Sequence, residues 1–177
     1  ARSGYKKMTI DDLAREVGIG KGSIYLHFPS KEEIALSHID RIIDRLKDKL
    51  HKIGAESIEP SEKLRKMLTT RVLHRFDSIQ HYSQSLNEIL GYLRPKLLER
   101  RRHHFEDEAR ILAAVIADGQ SAKHLTTGDS LDMARTLVTA TNSLLPFSLS
   151  SFELGDRKVL QKTTRKLVDL LIRGLQA

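Results

Sequence analysis

Cysteine is absent from this chain. That excludes a disulfide scaffold, a thiolate metal site and a cysteine nucleophile. Proline occurs four times in 177 residues, at Pro29, Pro60, Pro95 and Pro146. So few breakers leave room for long helices, and each proline marks a boundary. No apolar run approaches the roughly 18 residues that span a bilayer, and no secretory leader is read in Ala1-Arg2-Ser3-Gly4. No membrane partner is expected, and a cytoplasmic location is. Gly-rich phosphate loops, G-x-S-x-G and H-E-x-x-H are all missing. The charged residues fall in no catalytic spacing, so the chain reads as no enzyme and no cofactor is expected.

What is present is a soluble composition with a basic surplus. Hydrophobic residues make up 40% and charged residues 30%, and the net charge is +7. A basic surplus suits a polyanionic partner. The apolar spacing is helical nearly throughout, with no sustained alternation of period two, so the fold class is all-α. Ser30 with Glu33 fits a capping box ahead of a long helix over 31–53. Its apolar stripe is Ala35, Ile39, Ile42, Leu46, Leu50 and Ile53. Further helices are predicted from Ser61, over 82–93, over 96–117 with Phe105, Leu112, Val115 and Ile116 inward, from an Asp129 cap to about 145, and over 156–175. Asp118-Gly119-Gln120 is the expected end of the helix over 96–117.

The informative stretch runs from Thr9 to Phe28. Two short helices flank a turn at Gly18, the pattern of a helix-turn-helix. Ala14 is small enough for a helix crossing, and Ile10, Leu13, Ile19, Ile24 and Phe28 fix that crossing. Lys21, Ser23, Tyr25 and His27 then stand outward on or beside a second helix two turns long. Such a helix can enter a major groove about 12 Å wide.

This stretch resembles the TetR family of bacterial repressors. The matching residues are Thr9, Ile10, Leu13, Ala14, Val17-Gly18, Lys21-Gly22-Ser23, Tyr25, His27-Phe28 and Pro29-Ser30-Lys31-Glu32-Glu33. The resemblance implies an N-terminal helix-turn-helix DNA-binding domain, residues 1–53 with the connecting long helix. It implies a larger helical effector-binding and dimerisation domain, residues 54–177, in a fold of about nine helices. The family's first helix is largely missing ahead of Thr9, so a preceding segment is expected. By resemblance Lys21, Gly22 and Ser23 approach base edges of double-stranded operator DNA. Tyr25, His27 and Lys31 reach phosphates, and Thr9 donates to phosphate from its cap position. Lys31 is poorly placed for the helix dipole, and a phosphate contact would account for it.

The same resemblance implies a homodimer reading a pseudo-palindromic operator, built through the last helices. Leu137, Thr141 and Leu144, and Leu160, Thr164, Leu167 and Leu171, fall at threes and fours and are the candidate interface. The alternative for them is ordinary intrachain core. A small-molecule effector, largely apolar, is expected among the middle helices. Arg71, His74, Phe76, Tyr82, Tyr92 and Phe105 are the polar and aromatic residues available to line its pocket. The basic run from Arg94 to His104 reads as a solvated face balanced by Glu106, Asp107 and Glu108. Adjacent His103 and His104 diverge on a helix and do not form a metal pair. The function expected is a repressor released from its operator by effector. The competing reading is a helical small-molecule binder that has lost DNA binding.

Overall fold

A computed structural model describes residues 15, 30–80, 93–145 and 155–176. Five helices are described: α1 Lys31–Gly54, α2 Pro60–Gln80, α3 Arg94–Ser121, α4 Ser130–Asn142 and α5 Arg157–Arg173. All regular structure among the described residues is helical, apart from one isolated bridge between Leu125 and Gln176. Of the helix predicted over 82–93, residues 82–92 lie outside the described residues.

Three of the five helices begin with a side chain that accepts from the free backbone donors. Ser30 Oγ accepts from Glu33 N at 3.3 Å. The return half of that capping box is not used, because the Glu33 carboxylate accepts from Arg100 instead. Asp129 caps α4 through Leu131 N and Asp132 N, and Asp156 caps α5 through Lys158 N and Val159 N. Pro60 is the first residue of α2 and Pro95 lies in the first turn of α3, where a missing N–H is harmless.

Helix α2 is the hub and packs on all four others; α3 also packs on α1 and on α4. The main core joins Leu46 and Leu50 of α1, Leu64, Met67 and Leu68 of α2, and Leu112, Val115 and Ile116 of α3. Leu137 and Val138 of α4 and Val168 and Ile172 of α5 complete it. Burying each such side chain contributes roughly 1.5–3 kcal/mol. A smaller cluster of Val72, Phe76 and Leu160 lies further along α2 and α5.

At one position of α1 and in the second half of α5 the buried residue lies one place beyond the expected stripe, while Ala35, Leu46, Leu50, Leu160 and Thr164 are buried as expected. On α1 the buried isoleucines are Ile34 and Ile43, while Ile39, Ile42 and Ile53 are half-buried. On α5 the inward line is Leu160, Thr164, Val168 and Ile172, with Leu167 and Leu171 at its edge. Both helices carry apolar residues on adjacent faces, and packing chooses between them. Helix α4 ends at Asn142 rather than near 145.

Helix α3 does not stop at Asp118-Gly119-Gln120. It continues to Ser121 and closes with His124 N donating to Gly119 O and Lys123 N donating to Gln120 O. Lys123 takes the left-handed conformation that closure needs, at φ 59°. Gly119 serves another purpose. A Cβ there would stand 2.6 Å from Leu125 Cδ1 and 3.0 Å from Pro60 Cβ. Its bare backbone lets the loop after α3 fold onto the start of α2.

Gly119→Ala tests that reading. Alanine's helix propensity favours the variant by about 1 kcal/mol, while overpacking opposes it by roughly 1–3 kcal/mol. Urea denaturation should show a net loss of stability. A stabilised variant would mean that Leu125 yields freely.

Candidate effector site

A carboxylate and two guanidinium groups occupy the interior between α2, α3 and α4. Arg71 and Arg75 stand one turn apart on α2. Glu108 lies on the inward face of α3 and is fully buried. Its Oε2 accepts from Arg71 Nε at 2.5 Å, and its Oε1 accepts from Arg75 Nη2. The side chain of Arg71 is 1% exposed and that of Arg75 is 16% exposed.

The remaining donors of Arg71 reach α4. Its Nη1 donates to Thr141 Oγ1 at 2.7 Å and to Val138 O at 3.4 Å, and its Nη2 donates to Asn142 Oδ1 at 2.7 Å. Thr141 passes its own proton back to the α4 backbone at Leu137 O. Burial lowers the Arg71 pKa to about 10, with Glu108 opposing the drop and Arg75 adding to it. Arg71 stays cationic at neutral pH.

Phe105 presents its ring to three cations. The guanidinium carbons of Arg71, Arg75 and Arg101 lie 5.2, 4.6 and 4.7 Å from its centroid. Each distance is within cation–π range. Arg75 Nε is buried with no hydrogen-bond partner among the described residues.

The predicted effector residues therefore divide. Arg71 and Phe105 meet in this cluster. His74 faces α1: its Nε2 donates to Ile42 O at 3.0 Å, and its Nδ1 accepts from Lys49 Nζ at 3.0 Å. That pair of partners specifies one neutral tautomer. His74 also lines an open cavity of about 440 Å³ with Lys49, Thr70, Leu73, Asp77, Ser78 and Arg157. Phe76 is buried in the smaller apolar cluster. Tyr82 and Tyr92 lie outside the described residues.

Glu108 corrects the reading of 106–108 as a solvated acidic run. Only Glu106 and Asp107 keep to the surface side, and Glu106 pairs with Arg135 of α4. A signal was present, since Glu108 stands four residues before Leu112 and three after Phe105 on the apolar stripe. The basic run is likewise more than a solvated face. Arg100 pairs with Glu33 and Asp40 of α1, and His104 Nε2 lies 3.0 Å from Asp40 Oδ1.

Of the candidate interface residues, Leu137, Thr141, Leu160 and Thr164 are buried within the chain itself, and Leu144, Leu167 and Leu171 are half-buried. Of the candidate DNA contacts, Lys31 is the first residue of α1. Thr9, Lys21, Gly22, Ser23, Tyr25 and His27 lie outside the described residues.

The described residues form a body of packed helices entered by one long helix, α1. Residues 1–37 match the family model described as bacterial regulatory proteins, tetR family, and that match ends inside α1. The fatty acid metabolism regulator protein of Bacillus subtilis is 22% identical over 99% of this chain and 89% of its own length. The HTH-type transcriptional regulator YuxN of the same organism is 30% identical over 88 residues. That alignment takes in 50% of this chain and spans only 30% of YuxN. A crystal structure of a transcriptional regulator from Cytophaga hutchinsonii superposes with a TM-score of 0.75 at 24% identity, covering 98% of this chain and 91% of that one. Residues 1–37 thus resemble the amino-terminal segment of the tetR family of bacterial regulatory proteins, and the described helices share the fold of such regulators.

Glu108→Gln should be strongly destabilising. It leaves buried guanidinium charge without its anion, a loss of about 3–5 kcal/mol. Urea denaturation measures it, and a change under 1 kcal/mol would show that the pair is dispensable.

The histidines set an acid limit. His38 and His74 are held below the ordinary 6.5, by burial first and then by nearby cations, Arg41 and Arg45 for His38 and Lys49 and Arg75 for His74. The unfolded chain takes up those protons near pH 6.5 and the folded chain resists them. Stability is therefore expected to fall as pH drops below 6.5, until the folded pKa values are passed. His74→Gln should flatten that slope in melts between pH 7 and 5. An unchanged slope would remove His74 from it.

Proposed function

We propose that this chain is a sequence-specific DNA-binding transcriptional regulator of the bacterial cytoplasm, acting as a homodimeric repressor released by a small-molecule effector. The observation that carries this is the course of α1. The family-matched segment ends within its first two turns. Its far half supplies Leu46 and Leu50 to the core of the helical body. One rigid helix thus joins the segment that reads DNA to the domain that would hold an effector.

The charges at the near end strengthen that join. Arg100 and His104 of α3 hold Glu33 and Asp40 of α1. A shift of α3 on effector binding is carried to α1 through this clamp. The effector must bind the two states with different affinity, or nothing shifts. Lys21, Gly22 and Ser23 are assigned to bases, and Thr9, Tyr25, His27 and Lys31 to phosphates. In a dimer the two recognition helices read half-sites one DNA turn apart.

A binding selection on genome fragments with the full-length protein is expected to recover a palindromic site. On that site Lys21→Ala should change base preference, by about 1–3 kcal/mol at one position. Lys31→Ala should weaken all sequences alike and reduce the salt slope by roughly one. If neither variant alters DNA binding, the assignments fail. If only sequence-blind binding is recovered, the chain is instead a helical small-molecule binder without an operator.

A further inference from the structure

Among the described residues, two guanidinium groups, those of Arg71 and Arg75, share the single carboxylate of Glu108 beside Phe105. Glu108 is the one carboxylate that Arg71 and Arg75 contact there among the described residues, and each of its oxygens is already engaged. Arg71 is fully occupied, with donors to Glu108, Val138, Thr141 and Asn142. Arg75 is not: its Nε is buried and unpartnered. Arg101 brings a further cation to the same ring. Burial first, then repulsion by Arg75, pushes the Arg101 pKa down, with Glu108 opposing the drop, so the two guanidinium groups are close enough to oppose each other. A buried donor without an acceptor and like charges held close together are both unfavourable. One arriving anion relieves both.

We propose that Arg75, with Arg101 beside it, receives the carboxylate of an organic acid against the ring of Phe105. The inference rests on the reading of this body as an effector domain, and it names the effector's chemistry. A planar carboxylate matches the planar guanidinium fork, and Glu108 already shows such a group held in this cluster. Arg71 and Glu108 position Arg75 and make no contact with the ligand. An acid with an apolar remainder would place that remainder among the apolar side chains of the interior.

The test reads the protein alone, without DNA, so its failure leaves the DNA-binding reading standing. Thermal melts of the full chain are recorded in increasing acetate, with chloride at equal ionic strength and acetamide as the neutral isostere. Acetate should raise the midpoint saturably, by roughly 2–4 °C, and acetamide should not. Inorganic phosphate as a third arm separates carboxylate from phosphate recognition. A larger shift with phosphate overturns the assignment of a carboxylate. Arg75→Gln should abolish the acetate shift. Arg101→Gln, at a half-buried position, should at least halve it and serves where Arg75→Gln does not fold. If acetate and chloride act alike on the unaltered protein, or if a folded Arg75→Gln keeps the full shift, the proposal is wrong.

Discussion

The buried carboxylate of Glu108 is the constraint around which three helices are arranged. It sits on α3 and fixes two arginines of α2, and one of those arginines fixes the end of α4. A carboxylate and a guanidinium taken out of water each lose hydration, and their attraction repays this only when the remaining donors are satisfied. Arg71 meets that condition. Its network is directional in a way that leucine packing is not. Apolar packing such as that of Leu64 and Leu112 in the main core tolerates sliding, whereas a guanidinium fork on a carboxylate and a threonine does not. The network therefore sets the register of α2, α3 and α4, while the apolar core supplies most of the stability.

That division explains why the cluster lies where it does. The main core is apolar and continuous across all five described helices. The smaller cluster of Val72, Phe76 and Leu160 lies beyond Arg71 along α2. Between them, a band of polar groups crosses the interior at Arg71, Glu108 and Thr141. Thr164 is buried too and satisfies its hydroxyl on its own helix at Leu160 O. Surface pairs such as Arg157 with Asp77 have good geometry but remain exposed to water. Screening makes them aids to orientation rather than supports of the fold.

Much of this was legible in the amino-acid sequence, and the rest was hidden for identifiable reasons. The helix-turn-helix string is local, so spacing and residue type suffice to find it. Asp129 is legible as a cap because a cap depends on neighbours two and three residues away. The phase of α5 was not legible. Leu167, Val168, Leu170, Leu171 and Ile172 offer two stripes, and only the surface of α2 decides between them. Glu108 was masked by Glu106 and Asp107, since a run of three acidic residues resembles a solvated face. Its place on the stripe of Phe105 and Leu112 was the stronger clue. Arg75 and Arg101 gave no local signal, because their meeting at Phe105 joins two helices distant in sequence.

The consequence for signalling lies in the spacing along α3. Arg100 and His104 hold α1, while Arg101, Phe105 and Glu108 form the charged cluster. The two sets interleave within about two turns of one helix, which rises roughly 1.5 Å per residue. Neighbouring residues point about 100° apart, so the clamp and the cluster occupy different faces of the same turns. A helix segment this short behaves as a stiff body. Any rotation that adjusts the cluster must turn the clamp by the same angle, and Glu33 and Asp40 must follow or lose their partners. Losing them exposes two carboxylates and a guanidinium at the end of α1 that meets the family-matched segment. The coupling therefore needs no long chain of contacts, only one helix whose two faces answer to different neighbours.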